Sequence, residues 1–404
     1  MKKAIMYGAG NIGRGFIGAL FSESGYHVDF VDVAKPVIEA LNKDHSYPVR
    51  HVSTSGFDEV LIENVSGIDG TNSDLVSDAI AECDLMATAV GVNILKFIVP
   101  NIALGLRKRF ARGAKPMNII ICENLMDANK IVEKMIKENL TEGEGKTMDR
   151  TIGLVEASIG RMVPVQTPEM QDGNPLRVCV ESYGFLPVDK GAMKGSIPKI
   201  KNLVPEEPFD FFIKRKLYVH NMGHATTAYL GDYLDLEYIY QAIDDENIKL
   251  IAANAMQESA IALSRKYGKD LSGIIMHIND LIYRFSNKAL MDTCKRVGND
   301  QKRKLASSDR MIGSSLLCQE MKIAPIFISV GTAAAVYRYL EENGIEQCMD
   351  ACKKTLEELS CLKPEYDTSK LIFKFYDMLI QKKTVKEIRK AAEEMRSRIM
   401  TGIV

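Results

Sequence analysis

Charge of one sign is missing from this chain, and so are long apolar runs and clustered metal ligands. Lys and Arg number 52 against 53 Asp and Glu, a formal net charge of -1. Nothing in that balance points to nucleic acid or an anionic membrane surface as a partner. No uninterrupted apolar stretch approaches the roughly 20 residues that a bilayer-spanning helix needs, so no membrane partner is expected. The opening Met1-Lys2-Lys3-Ala4-Ile5-Met6-Tyr7 has the cationic start of a signal segment, but its apolar run breaks at Gly8. The eight cysteines are scattered, and Cys122, Cys179 and Cys318 fall inside apolar runs. Cys348 and Cys352 lie one helical turn apart with no histidine beside them, so buried reduced thiols in a cytoplasmic protein are the expectation. No HExxH pattern occurs, and no metal site is expected. Internal repeats and low-complexity tracts are absent too. The 404 residues are ample for two domains with real cores. A small-molecule substrate and a monomer or small homo-oligomer are the expected context.

The first half carries the strongest pattern. Residues 3–7 read as a short buried strand, followed at once by Gly8-Ala9-Gly10-Asn11-Ile12-Gly13, a helix-like run from Arg14 to Ser24, and a second strand, 27–32, ending in Asp32. A glycine pattern between strand and helix, with an acid about 20 residues on, marks a dinucleotide-binding unit. Gly8 permits the tight turn, Gly10 lets a pyrophosphate approach the backbone, and Gly13 allows close helix–strand packing. Asp32 accepts hydrogen bonds from a ribose diol and repels a 2′-phosphate, which favours NAD over NADP, with Lys35 slightly weakening that preference. Further strands are expected over 84–91, ending at Gly91 in small residues that let a cofactor pass, and over 118–124. Asn124 ends the latter and should lie in the crevice beyond the strand carboxyl ends. Residues 126–140 read as helix, 141–146 as loop, and 151–158 and 176–181 as strands. The Pro- and Gly-rich stretch 187–205 marks a passage out, with the boundary near 198. The expected architecture is α/β: a Rossmann-type doubly wound sheet over 1–198, then a mostly α-helical domain over 199–404.

From Phe209 onward the periodicity is helical, with long amphipathic runs over 248–267 and 385–400. One apolar run, from Phe209 through Leu230, contains Lys216, Asn221 and His224. At about 100° per residue, Asn221 lies about 140° and His224 about 80° around the helix from Lys216, so all three can face one cavity. Such groups on a greasy helix are costly unless they face each other or a ligand. A desolvated Lys216 could serve as base, Asn221 as donor to a developing oxyanion, and His224 as orienting group. On spacing alone the commoner alternative is a snorkelling Lys216 with His220 and His224 as ordinary packed residues. Downstream, Arg296, Arg303, Lys304 and Arg310 form a cationic stretch that could hold a phosphate or simply be solvated.

Taken together these motifs resemble the polyol-specific long-chain dehydrogenases of the mannitol dehydrogenase family. The resemblance rests on the segment Gly8–Gly18, on Lys-x4-Asn-x2-His at Lys216, Asn221 and His224, on Cys122-Glu123-Asn124, and on Arg303–Arg310. It implies metal-independent, NAD-dependent hydride transfer with Lys216 as general acid and base and Asn221, His224 and Asn124 around the reacting oxygen. The pair it implies most closely is mannitol 1-phosphate and fructose 6-phosphate. Arg303, Lys304 and Arg310, with Arg14 as an outlier, are the candidates for the phosphate. A sibling dehydrogenase of free polyols or hexuronates is one alternative, and a non-catalytic NAD(H)-binding sensor is another. Two departures fall on the substrate side. Relatives carry Asp before the residue matching Arg161, where this chain has Gly160, and a Lys-Pro step after the residue matching Arg310, where it has Met311-Ile312.

Overall fold

The computed structural model describes residues 1–113, 115–125 and 127–400 and divides into two compact units, Met1–Phe212 and Ile213–Val404. The strands of the first unit are, in chain order, β1 (Lys2–Tyr7), β2 (Tyr26–Asp32), β3 (Ser46–Ser53), β4 (Gly56–Glu63), β5 (Val65–Asp69) and β6 (Leu85–Thr88). They continue with β7 (Met117–Ile121), β8 (Ile152–Glu156), β9 (Val178–Val180), β10 (Leu186–Asp189) and β11 (Leu203–Glu206).

Six strands form one sheet in the order β5-β2-β1-β6-β7-β8, every pairing parallel. A parallel sheet needs cover on both faces, and the side-chain alternation of β1 supplies it. Ala4 and Met6 enter one apolar core with Phe16, Phe30 and Tyr47, while Ile5 and Tyr7 enter another with Val99, Ile102 and Ile119. From β1 the chain steps outward through β2 to β5, then returns to lay β6, β7 and β8 on the opposite flank. The order therefore reverses between β1 and β6, the position where open α/β sheets bind ligands beyond their carboxyl ends.

Three local features differ from expectation. Residues 141–146 do not form a loop: a helix runs from Glu142 to Thr151, despite Gly143 and Gly145. Its Thr141 hydroxyl accepts from the Glu144 N–H and the Glu144 carboxylate accepts from the Thr141 N–H, at 3.4 and 2.8 Å. This reciprocal cap satisfies two donors at the helix start and offsets the glycine cost. The antiparallel hairpin β3–β4, extended by β9 into a three-stranded sheet, has no counterpart in the sequence reading. Finally, the chain passes to the second unit after Phe212, not near 198. Strand β11 pairs with β10, and Phe212 packs against Phe185 and Phe209 at 6.4 and 6.2 Å between ring centroids, so 199–212 belongs with the first unit.

Every regular element of the second unit is helical among the described residues. Helix Ile326–Glu342, apolar almost all round, is its axis and is covered by helices Met222–Tyr233, Glu246–Tyr267 and Asp367–Ile380. The expected helix from Phe209 to Leu230 is three pieces. Asp210–Arg215 is α, Lys216–Asn221 is a π-helical turn, and Met222–Tyr233 is α again. Among the described residues no helix is long and apolar enough to cross a membrane.

Candidate active site

In the first unit the chain leaves β1 through Gly8, whose φ of +102° suits glycine alone and whose missing Cβ would sit 2.5 Å from the Ala89 carbonyl oxygen. A Cβ on Gly13 would run into the Gly8 carbonyl, while nothing lies within 4 Å of the corresponding position on Gly10. The loop is thus closed against the protein at Gly8 and Gly13 and open where a pyrophosphate would approach, with a helical run entered at Asn11 and Ile12 behind it. Helix starts of this kind present free N–H groups to phosphate, so the residues fit a dinucleotide. Asp32 ends β2 and accepts from the Ala9 N–H at 2.7 Å and the Ala34 N–H at 3.0 Å. It fastens the loop and stays half-buried at the strand end. Arg14 lies beneath the loop, 5 % exposed, and donates to the carbonyls of Ala9 and Leu176 at 2.7 and 2.8 Å.

Across the switch point, Glu123 follows β7 and is 7 % exposed. Its two carboxylate oxygens accept from the N–H groups of Val90 and Gly91 at 2.9 and 2.8 Å. That clamp fixes the loop after β6, and the next residue, Asn124, is exposed beyond the sheet's carboxyl edge.

In the second unit Lys216 and Asn221 are the first and last residues of the π-helical turn, and both are half-buried. The wider i→i+5 hydrogen bonding of a π turn stacks residues five apart. Lys216 and Asn221 therefore share a face more closely than the about 140° separation of an α-helix allows. His220, on the same turn, is buried, and burial, followed by the charges of Arg284 and neighbouring groups, holds its imidazole well below the ordinary value. His224 stacks on Phe285, ring centroids 4.6 Å apart and 12° between planes. Its Nε2 is 3.4 Å from Asp292 Oδ2, while Arg296 grips Oδ1 of the same carboxylate through Nε at 2.7 Å and Nη2 at 2.5 Å. Burial alone would raise the Asp292 carboxyl, and His224 and Arg296 outweigh it, leaving it below the usual carboxylate value.

The cationic stretch is internally paired. Arg303 meets Asp300 at 2.5 Å and Asp309 at 2.9 Å, and Arg310 meets the other Asp309 oxygen at 2.8 Å. Lys304 is buried and donates to the Val297 carbonyl. Burial, reinforced by Arg310 and Arg303, pushes its ammonium down to about 7. Among the described residues no three His, Cys, Asp or Glu side chains converge as metal ligands.

Comparison with known proteins agrees with this layout. The Rossmann domain of mannitol dehydrogenase matches residues 2–202, and its C-terminal domain matches residues 209–396. The chain belongs to the mannitol dehydrogenase family. Among solved structures, Pseudomonas fluorescens mannitol 2-dehydrogenase, solved as a ternary complex with NAD and D-mannitol, superposes with a TM-score of 0.75 at 13 % identity, over 97 % of this chain and 94 % of that one. A substrate-free D-sorbitol dehydrogenase gives a TM-score of 0.77 at 16 % identity, over 96 % and 94 %. At such identities the likeness is one of fold.

Within this mannitol dehydrogenase layout, the cofactor candidates Gly8, Ala9, Gly10, Asn11, Ile12, Gly13, Asp32 and Gly91 gather at the switch point of one sheet, with Asn124 at the same edge. Lys216, Asn221 and His224 gather on one turn and the helix it opens. Arg14 does not join a substrate surface, because its guanidinium serves the backbone of the glycine loop. Sequence reasoning quoted Glu123 within the Cys122-Glu123-Asn124 motif without giving it a role, and it passed over Phe285 and Asp292. An acid four residues before Arg296 was a visible signal for Asp292. Nothing local announced the clamp made by Glu123.

Proposed function

We propose that this chain is an NAD-dependent polyol dehydrogenase that interconverts mannitol 1-phosphate and fructose 6-phosphate. The observation that carries the reading is the π turn that begins at Lys216 and ends at Asn221, followed in the next helix by His224 beside the Asp292 carboxylate. NAD, when bound, supplies the hydride acceptor. Gly8, Gly10 and Gly13 shape the loop for the pyrophosphate, and Asp32 takes the ribose hydroxyls and opposes a 2′-phosphate. Lys216, uncharged, removes the proton of a secondary hydroxyl, and in the reverse direction its ammonium returns it. Asn221, with Asn124 as a second amide, donates to the oxygen as it becomes alkoxide-like, an interaction whose loss costs about 10²–10³ in kcat. His224 holds the lysine or the neighbouring hydroxyl in place.

Two measurements test this. Lys216→Ala should lower turnover by about 10²–10⁴-fold while NADH still binds with unchanged Kd in a fluorescence titration. Turnover within a few-fold of wild type shows that the base is another group. Fructose 6-phosphate should be reduced in preference to fructose by several orders of magnitude in kcat/KM. A second reading, a dehydrogenase of free polyols or of keto-uronates such as tagaturonate, is favoured by one observation: Arg303 and Arg310 are already bound to Asp309. Equal rates with fructose 6-phosphate and fructose would select it.

A further inference from the structure

The second unit holds a carboxylate that the mechanism above leaves unused. Asp292 is set in a loop pinned on both sides, its own carbonyl accepting from the Ile239 N–H and the Glu237 carbonyl accepting from the Cys294 N–H, each at 2.8 Å. Its side chain is 9 % exposed and divides its oxygens, Oδ1 to Arg296 and Oδ2 toward His224 Nε2 at 3.4 Å. The imidazole has little freedom of its own: one face stacks on Phe285, and the His220 ring lies 6.2 Å away.

We propose that Asp292 is a positioning residue for His224, and that this carboxylate–imidazole pair, braced by Arg296, fixes the Nε2–H tautomer and leaves Nδ1 as the acceptor offered to the substrate hydroxyl or to Lys216. Only the nitrogen facing a carboxylate gains from carrying the proton, so the carboxylate decides which nitrogen stays basic. The 3.4 Å separation is long for a formed bond, and such contacts commonly tighten when substrate binds. The pair sits against the Arg296 guanidinium on one side and the His220 ring on another.

The inference rests on the reading that His224 serves the reaction, and the test separates the two. In the full-length protein with NADH bound, ¹⁵N NMR of labelled histidine, assigned by the signal lost in His224→Gln, should show His224 protonated at Nε2. A proton at Nδ1 overturns the proposal, and this measurement needs no variant at Asp292. Kinetically, with whichever of fructose 6-phosphate, fructose and tagaturonate the wild type reduces, Asp292→Asn should lower kcat by about 10- to 100-fold with NADH affinity unchanged. The double variant Asp292→Asn/His224→Gln should fall no further than His224→Gln alone. Multiplying losses overturn the pairing. If His224→Gln retains wild-type turnover, the role of His224 falls, and with it any part for Asp292 in turnover.

Discussion

A single buried carboxylate, Glu123, holds the loop that follows β6. Two hydrogen bonds to an ionised acceptor are each worth roughly 1.5–3 kcal/mol, and stripping the acceptor also leaves two backbone donors to find water. Glu123→Ala should therefore lower Tm measurably and weaken NADH binding by about an order of magnitude or more. Glu123→Gln, which keeps one acceptor oxygen, should recover part of both. Thermal melts and NADH titration of the two variants check this, and equal behaviour of Ala and Gln removes the clamp from the account. Residues of this type mark the limit of sequence reading at this scale. Gly8, Gly10, Gly13 and Asp32 could be placed in one strand–turn–helix unit because its parts are consecutive and their spacing is fixed by covalent geometry. Glu123 lies 33 and 32 residues from its partners, and no local pattern encodes that meeting. Asp292 was half-legible: its i, i+4 relation to Arg296 is local, while its approach to His224 depends on packing.

At the scale of elements, both motif-bearing helices are interrupted by π turns, Gly13–Gly18 in one unit and Lys216–Asn221 in the other. Hydrophobic periodicity located both helices, but averaging over a window cannot register a turn that is wider by one residue. Such turns are uncommon and cluster at functional sites. Deleting Arg215, which precedes the second turn and leaves Lys216 and Asn221 five residues apart, should let that turn relax to α geometry, in which about 140° separates the two. The helical unit should survive by far-UV circular dichroism, while Lys216 rotates away from Asn221 and turnover falls by about 10²–10⁴-fold, as for loss of the base itself. Retained activity in a folded deletion variant separates the chemistry from the π turn. The helix Glu142–Thr151 gives the converse lesson. Its two glycines argue for a loop, yet Thr141→Ala, which removes half of the reciprocal cap, should cost only about 1 kcal/mol, seen as a small fall in Tm.

Across the whole molecule, the two-domain order of an α/β sheet followed by helices was readable because short apolar strand-like runs between helices give way, from Phe209 onward, to helical periodicity. The position of the division was not, since β11 joins β10 through backbone bonds that side-chain patterns do not report. The same helical unit should also set how stability depends on pH. Burial, followed by the charges of Arg215 and Arg284, drives the His277 imidazole down to about 3. Between that value and the 6.5 of an unfolded histidine, the unfolded chain takes up a proton that the folded chain refuses. Stability is then lost as pH falls below about 6.5, by up to roughly 1.4 kcal/mol per pH unit for this group. Glu258 acts in the opposite sense. Burial pushes its carboxyl up to about 8, against the pull of the Phe327 and Ile328 N–H groups at 3.0 and 3.1 Å. As pH rises from about 4.5 to 8, the unfolded chain releases a proton that the folded chain keeps, so this group favours unfolding increasingly up to pH 8. Each contribution is isolated by a neutral replacement. Relative to wild type, His277→Gln should gain stability as pH falls from 6.5 toward 4. Glu258→Gln should gain as pH rises from 5 to 8, with no further gain above it. Melting curves of the three proteins at half-unit pH intervals decide the matter: a pH-independent difference for Glu258→Gln means that this carboxyl titrates in the folded chain as it does in the unfolded one.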